Sequence, residues 1–240
     1  MEHRVRLALR STALLWTALL AVAACTAPGP RAHIDPTAGL DPVSSPEWAA
    51  DMARFAAEDA AQPPPERPIV FTGSSSVRMW DTLARDFPEV PVLNRGFGGS
   101  QVRDSVWYAD EIALRYRPRQ IVLYAGDNDT HAGRSPAQVV ADTRAFVTRV
   151  HAALPGTQIA LLGIKPSPSR ANLLTVQRAT NDALRTWAAG QRNVAYIDVF
   201  TPMLDADGVP RESLFIADRL HMNADGYALW REIIAPYLVR

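Results

Sequence analysis

The stretch "IVFTGSSSVRMW", residues 69–80, decides how the chain is read. Apolar and β-branched residues run into Gly73, three serines follow, and the next segment has helical character. The same alternation continues outward. Apolar, β-rich runs occupy 69–72, 92–94, 120–125, 158–164 and 194–199. Helices are predicted between them, near 76–86, 101–115, 136–153 and 172–190, with a last one over 224–238. Strict strand–helix alternation implies parallel strands joined by crossovers, with helices covering both faces of the sheet. No internal repeat or second domain interrupts the pattern. A chain of 240 residues is long enough to bury a substantial single core. In such a sheet, function collects beyond the carboxyl ends of the strands.

The segment before the first strand reads as one more helix. Pro46 suits a first helical position, with Ser44 or Ser45 as cap, and Trp48, Met52 and Phe55 repeat at i, i+4 and i+7. That stripe is read as core packing. The prolines of "QPPPERP" end the helix.

The N-terminus is expected to stand apart from the fold. Arg4, Arg6 and Arg10 precede "STALLWTALLAVAA", an uncharged run of 14 residues that is too short to span a bilayer comfortably. A basic start, an apolar run and small residues before a cut site make an export signal over residues 1–24. Val22-Ala23-Ala24-Cys25 resembles a bacterial lipobox, so Cys25 is the expected lipidation site and first mature residue. Its neighbour Thr26 differs from the aspartate of an inner-membrane retention signal, which points to the outer membrane in a cell that has one. Residues 25–44, rich in proline and glycine, read as a tether, and residues 45–240 as the domain. The expected location is therefore the cell envelope, with the lipid on Cys25 as the membrane contact. Cys25 is the only cysteine, so no intrachain disulfide can form. Loss of residues 1–24 removes three arginines and Glu2, leaving 22 basic and 24 acidic residues and a formal net charge of −2. No basic block supports nucleic-acid binding, and nothing implies a protein partner.

The strand ends carry unusual residues. The first ends in Gly73-Ser74-Ser75-Ser76, the second in "NRGFGGS" (94–100), the third in "AGDNDTH" (125–131). "ADRLHMNADGYALW" precedes the last helix and sets Asp218 and His221 three apart. A serine, a histidine beside a carboxylate and backbone donors near glycines are the parts of acyl-transfer chemistry. Taken alone, three serines after a strand are as well explained by turn and cap chemistry.

Four motifs in order, "FTGSSSV", "NRGFGGS", "GDND" and "DRLH", resemble the blocks of the SGNH hydrolases, also called GDSL esterases and lipases. They cover residues 69–221. The resemblance implies a flavodoxin-like α/β/α sandwich with a five-stranded parallel sheet, and a serine esterase that needs no metal or organic cofactor. It implies Ser75 as nucleophile, His221 and Asp218 as base and acid, and Ser75, Gly99 and Asn128 as the oxyanion hole. The chain departs from the pattern at Ser74, where the family's name-giving motif has aspartate, and at Ser76, which replaces the usual leucine. The expected substrate is a small-molecule or glycan ester with a short acyl group, since no lid-like apolar insertion is present. Two rivals keep the fold: an O-acyltransferase with a sugar acceptor, and a non-catalytic tethered binding protein.

Several residues are read outside the site. Asn94 braces the glycine loop. His131 is a surface-loop histidine, and neither His33 in the tether nor His151 in a helix is favoured for function. "LDADGVP" (204–210) is a turn, because it lacks the remaining ligands of a calcium loop. Lys165 and Arg170 in "GIKPSPSR" could contact an anionic part of a substrate or form ion pairs at the rim.

Overall fold

The computed structural model of the chain describes residues 45–240. The export signal, Cys25, His33 and the tether lie outside the described residues. Five strands, β1 (Ile69–Gly73), β2 (Val92–Gly96), β3 (Gln120–Tyr124), β4 (Gln158–Leu162) and β5 (Val194–Ile197), form one sheet. All pairings are parallel, and the order is β2-β1-β3-β4-β5. This is the parallel α/β sheet expected from the alternation, in the flavodoxin-like form that the family resemblance implies. The chain leaves β1 to one side for β2 and returns to its other side for β3. Such a reversal opens a crevice at the carboxyl ends of the neighbouring strands.

The strands are apolar on both faces because both faces are covered. Ile121, Leu123, Ile159 and Leu161 face one layer, with Phe146, Val147 and Val150 of α7 (Pro136–Ala153), Ala188 of α8 (Leu174–Ala189) and Phe55 of α1 (Ala49–Ala61). Val122, Tyr124, Ala160 and Leu162 face the other, with Trp80, Phe87, and Trp230 and Ile234 of α9 (Ala224–Ile234). Alternate residues of β3 and β4 thus enter opposite cores, as the two-residue strand period requires.

The N-terminal helix starts with a 3-10 turn, Ser45–Trp48, and continues as α1. Its predicted stripe reaches the core at Trp48 and Phe55, with Met52 packed against it. Two other predicted helices are broken. The segment after β1 is split into α2 (Ser75–Arg78) and α3 (Leu83–Asp86). Trp80 sits between them, buried against Tyr227 and Trp230, and its indole N–H donates to Asp86 Oδ2 at 2.6 Å. The segment after β2 becomes α4 (Val102–Trp107) and α5 (Ala109–Ile112), divided at Tyr108, which packs edge-on to Phe97. In both cases a large aromatic must enter the core where the helix would have turned it away. One helix was not anticipated: α6 (Asp127–His131), directly after β3. Among the described residues, no helix is long and apolar enough to cross a membrane.

Candidate active site

Ser75 is the first residue of α2, at the carboxyl end of β1. Gly73 ends the strand with φ 116°, and a Cβ there would lie 1.8 Å from the Tyr124 carbonyl oxygen. Only glycine lets β1 and β3 run this close into the turn. Ser74 holds the N-cap position, but its hydroxyl makes no cap bond; its carbonyl instead accepts from the N–H groups of Val77 and Arg78 at 3.0 and 3.2 Å. The Tyr227 hydroxyl donates to the Ser76 carbonyl at 3.0 Å, tying α2 to α9. The serine run is therefore a tight strand-to-helix turn with one hydroxyl turned outward.

That hydroxyl meets His221. The distance from His221 Nε2 to Ser75 Oγ is 3.0 Å, and His221 Nδ1 lies 2.6 Å from Asp218 Oδ2. The other oxygen of Asp218 accepts from the backbone N–H groups of Leu220 and His221, both at 2.9 Å. Arg219 between them adopts φ 57°, a left-handed conformation uncommon for a side-chain-bearing residue, and this tight turn brings both N–H groups to one carboxylate. The loop is closed at its base by a bridge between Phe215 and Met222 and by the Ile216 N–H donating to the His221 carbonyl at 2.9 Å. Partial burial pushes the Asp218 carboxyl up, but hydrogen bonds from His221 and Leu220 and the His221 charge prevail and hold it at about 2. The side chain of Asp218 is 43% exposed and that of His221 21%, so the pair sits at an open rim.

Gly99 lies in the turn after β2 with φ 83°, and a Cβ there would meet nothing within 4 Å. The glycine is thus required by backbone conformation and not by crowding from the protein. The turn is braced on both sides. Asn94 donates to the Val77 carbonyl at 2.7 Å and accepts from the Gly96 N–H at 2.9 Å. Asp104 accepts from the Gln101 N–H at 2.7 Å. Asn128, in α6, donates through Nδ2 to the Ser100 carbonyl at 3.0 Å, which links the third block to the second. Ser75, His221, Asp218, Gly99 and Asn128 all sit in loops or helix starts at one end of the sheet.

The chain matches the family described as GDSL-like Lipase/Acylhydrolase over residues 36–229. It belongs to that family. It is an ester hydrolase of the SGNH type. No curated protein matches the chain. Among solved structures it resembles a Streptococcus pneumoniae protein named for platelet activating factor, at 21% identity and TM-score 0.73, covering 81% of this chain and 94% of that one. It resembles a GDSL-like lipase from Bacteroides thetaiotaomicron at 19% identity and TM-score 0.68, covering 78% and 97%. It also resembles an acetylxylan esterase from Geobacillus stearothermophilus at 14% identity and TM-score 0.58, covering 70% and 92%. At these identities the likeness is one of fold.

The GDSL-like hydrolase holds a further group of charges behind Asn128. Lys165 follows β4 and is 1% exposed. Its ammonium lies 3.4 Å from Asp127 Oδ2 and donates to the Leu220 carbonyl at 2.8 Å. Arg170 Nη1 reaches Asp127 Oδ1 at 2.8 Å, and Gln177 donates to the same oxygen at 3.2 Å. Burial pulls the Lys165 ammonium below the ordinary lysine range, with Asp127 opposing that shift. Of the two readings open for Lys165 and Arg170, ion pairing holds, but inside the protein and not at the rim. The sequence signal was Asp127 itself, an acid at the start of α6 beside Asn128.

His131 is exposed at the end of α6, and His151 Nε2 lies 3.2 Å from the Thr157 carbonyl, well outside the site. Residues 204–210 form a turn in which Asp205 accepts from the N–H groups of Asp207 and Val209. Among the described residues, no cluster of three His, Cys, Asp or Glu side chains could hold a metal ion.

Proposed function

We propose that this chain is a serine esterase that hydrolyses short-chain carboxylic esters, acetyl esters above all, through an acyl-enzyme on Ser75. The observation that carries this reading is the relay from Ser75 Oγ through the His221 ring to Asp218, at 3.0 and 2.6 Å. His221 Nε2 takes the Ser75 proton as Oγ attacks the ester carbonyl carbon. The carbonyl electrons move onto oxygen, where the N–H groups of Ser75 and Gly99 and the Asn128 amide meet the new charge. As the first residue of α2, Ser75 has an N–H with no intrahelical acceptor. Collapse expels the alcohol, which receives its proton from His221. Water, deprotonated by His221, then attacks the acyl-Ser75 carbonyl, releasing the carboxylic acid and restoring the serine. Asp218 fixes the ring tautomer and balances the imidazolium.

The open rim supports water as the acceptor over a bound sugar hydroxyl. An acetyl group on a glycan, the kind of ester for which the Geobacillus neighbour is named, suits a Ser75–His221–Asp218 relay whose acid and base sit at an open rim. Hydrolysis of p-nitrophenyl acetate, butyrate and octanoate by the wild type and Ser75→Ala tests the proposal. Turnover should favour acetate and vanish in the variant, while thermal unfolding stays nearly unchanged. Turnover that survives in Ser75→Ala overturns it. We also propose that Cys25 carries a lipid anchor after export, a reading supported by residues 1–25 alone. Cys25→Ser should then move the protein from the membrane fraction to the soluble one.

A further inference from the structure

Asn128 has a side-chain amide whose two ends look different only to their partners. If Nδ2 is to meet an oxyanion, the amide must not flip. Nδ2 donates one hydrogen to the Ser100 carbonyl at 3.0 Å. On the other side, Oδ1 accepts from Arg170 Nη1 and Nη2 at 3.3 and 3.2 Å. A flipped amide would turn its oxygen toward the Ser100 carbonyl and its NH2 toward a guanidinium, and both contacts would become repulsive. The guanidinium is itself fixed: Nη1 pairs with Asp127 Oδ1 at 2.8 Å, and the side chain is only 11% exposed. The Ser169 N–H donates to the Arg219 carbonyl at 3.0 Å, so the segment that carries Arg170 is also fastened to the Asp218–His221 loop.

Within the esterase reading above, we infer that Arg170 is a positioning residue that orients Asn128 and polarises its amide. A cation on Oδ1 draws electron density from the amide and makes the remaining Nδ2 hydrogen a stronger donor. Asp127 anchors this cation without contacting substrate. The arrangement needs a planar fork, because one group must reach Asp127 and Asn128 together. A lysine would supply the charge but not the fork.

The test is kinetic and uses the full chain. Arg170→Lys preserves a cation beside Asp127. It should lower kcat by roughly tenfold to a hundredfold, with KM within about twofold. The same substitution in an Asn128→Ala background should change kcat by less than about twofold, because the residue through which it acts is gone. Arg170→Gln, a shorter and neutral donor, is the second variant should lysine disturb folding; it should lower kcat at least as much as lysine does, and a wild-type rate in it overturns the inference as well. Wild-type rates in Arg170→Lys, or an undiminished effect in the Asn128→Ala background, overturn the inference and leave Arg170 as charge balance for Asp127. Should the wild type fail to turn over esters, the esterase reading falls first. The coupling would then be read from the rate of fluorophosphonate labelling at Ser75 in the same four chains.

Discussion

At the residue scale, Asp218 offers the most direct test of the relay. Replacing it with asparagine keeps the shape but removes the charge that holds His221. The expected loss in kcat is roughly 10²–10⁴, read by ester hydrolysis at neutral pH. Its carboxyl is held at about 2, below the ordinary unfolded value near 3.9. A depressed acid contributes stability that is full above the unfolded value and is lost as pH falls through the folded one. The melting-temperature gap between wild type and Asp218→Asn should stay constant from neutral pH to about 5 and close between about 4 and 2. The gap itself should be small, because the side chain is 43% exposed. Gly99→Ala tests another residue. With φ 83° and no neighbour within 4 Å, alanine should cost roughly 1–2 kcal/mol of backbone strain, measured by urea unfolding. The four motifs made these residues legible. The φ of 83° at Gly99 was not readable from them.

Elements meet through single side chains. Asp129 of α6 is fully buried and accepts from the Val102 N–H at the start of α4, at 3.1 and 3.3 Å. Burial pushes its carboxyl up to about 7, against the Val102 hydrogen bonds and Arg134. Here the sign reverses. Between about pH 4 and 7 the unfolded chain has released this proton while the native one keeps it, so stability falls as pH rises through that window. Asp129→Asn should remove that slope from plots of unfolding free energy against pH. Lys165 joins the β4 loop to the Asp218–His221 loop through the Leu220 carbonyl. Lys165→Met leaves that carbonyl without its donor and should destabilise the fold by about 3 kcal/mol, measured by urea unfolding. The long helix α7 was legible at its predicted ends because Ser135 and Gln138 form a capping box and Pro136 follows the cap. Helix α6 was not, because Gly126 enters it at φ 113°, a choice no periodicity in five residues can reveal. The charge cluster was legible only in part: Asp127 lies 38 residues from Lys165 and meets it only when β3 and β4 pair.

For the whole molecule, the sheet separates two cores. Ile159 belongs to one and Ile234 to the other. Ile159→Val and Ile234→Val should each cost about 1 kcal/mol, and the double variant should match their sum within about 0.5 kcal/mol in urea unfolding. A larger coupling would mean that the sheet transmits packing changes between its faces. This layering was legible from sequence because runs apolar at every position demand cover on both sides.

The partly exposed Asp218–His221 pair has a consequence for scale. A reaction centre at a rim touches the few atoms of an ester linkage and leaves the remainder of the alcohol outside. That remainder can then be of any length, soluble or part of a wall. On the proposed reading, an acetyl group borne by a long chain would be removed wherever it occurs along the chain, without threading an end.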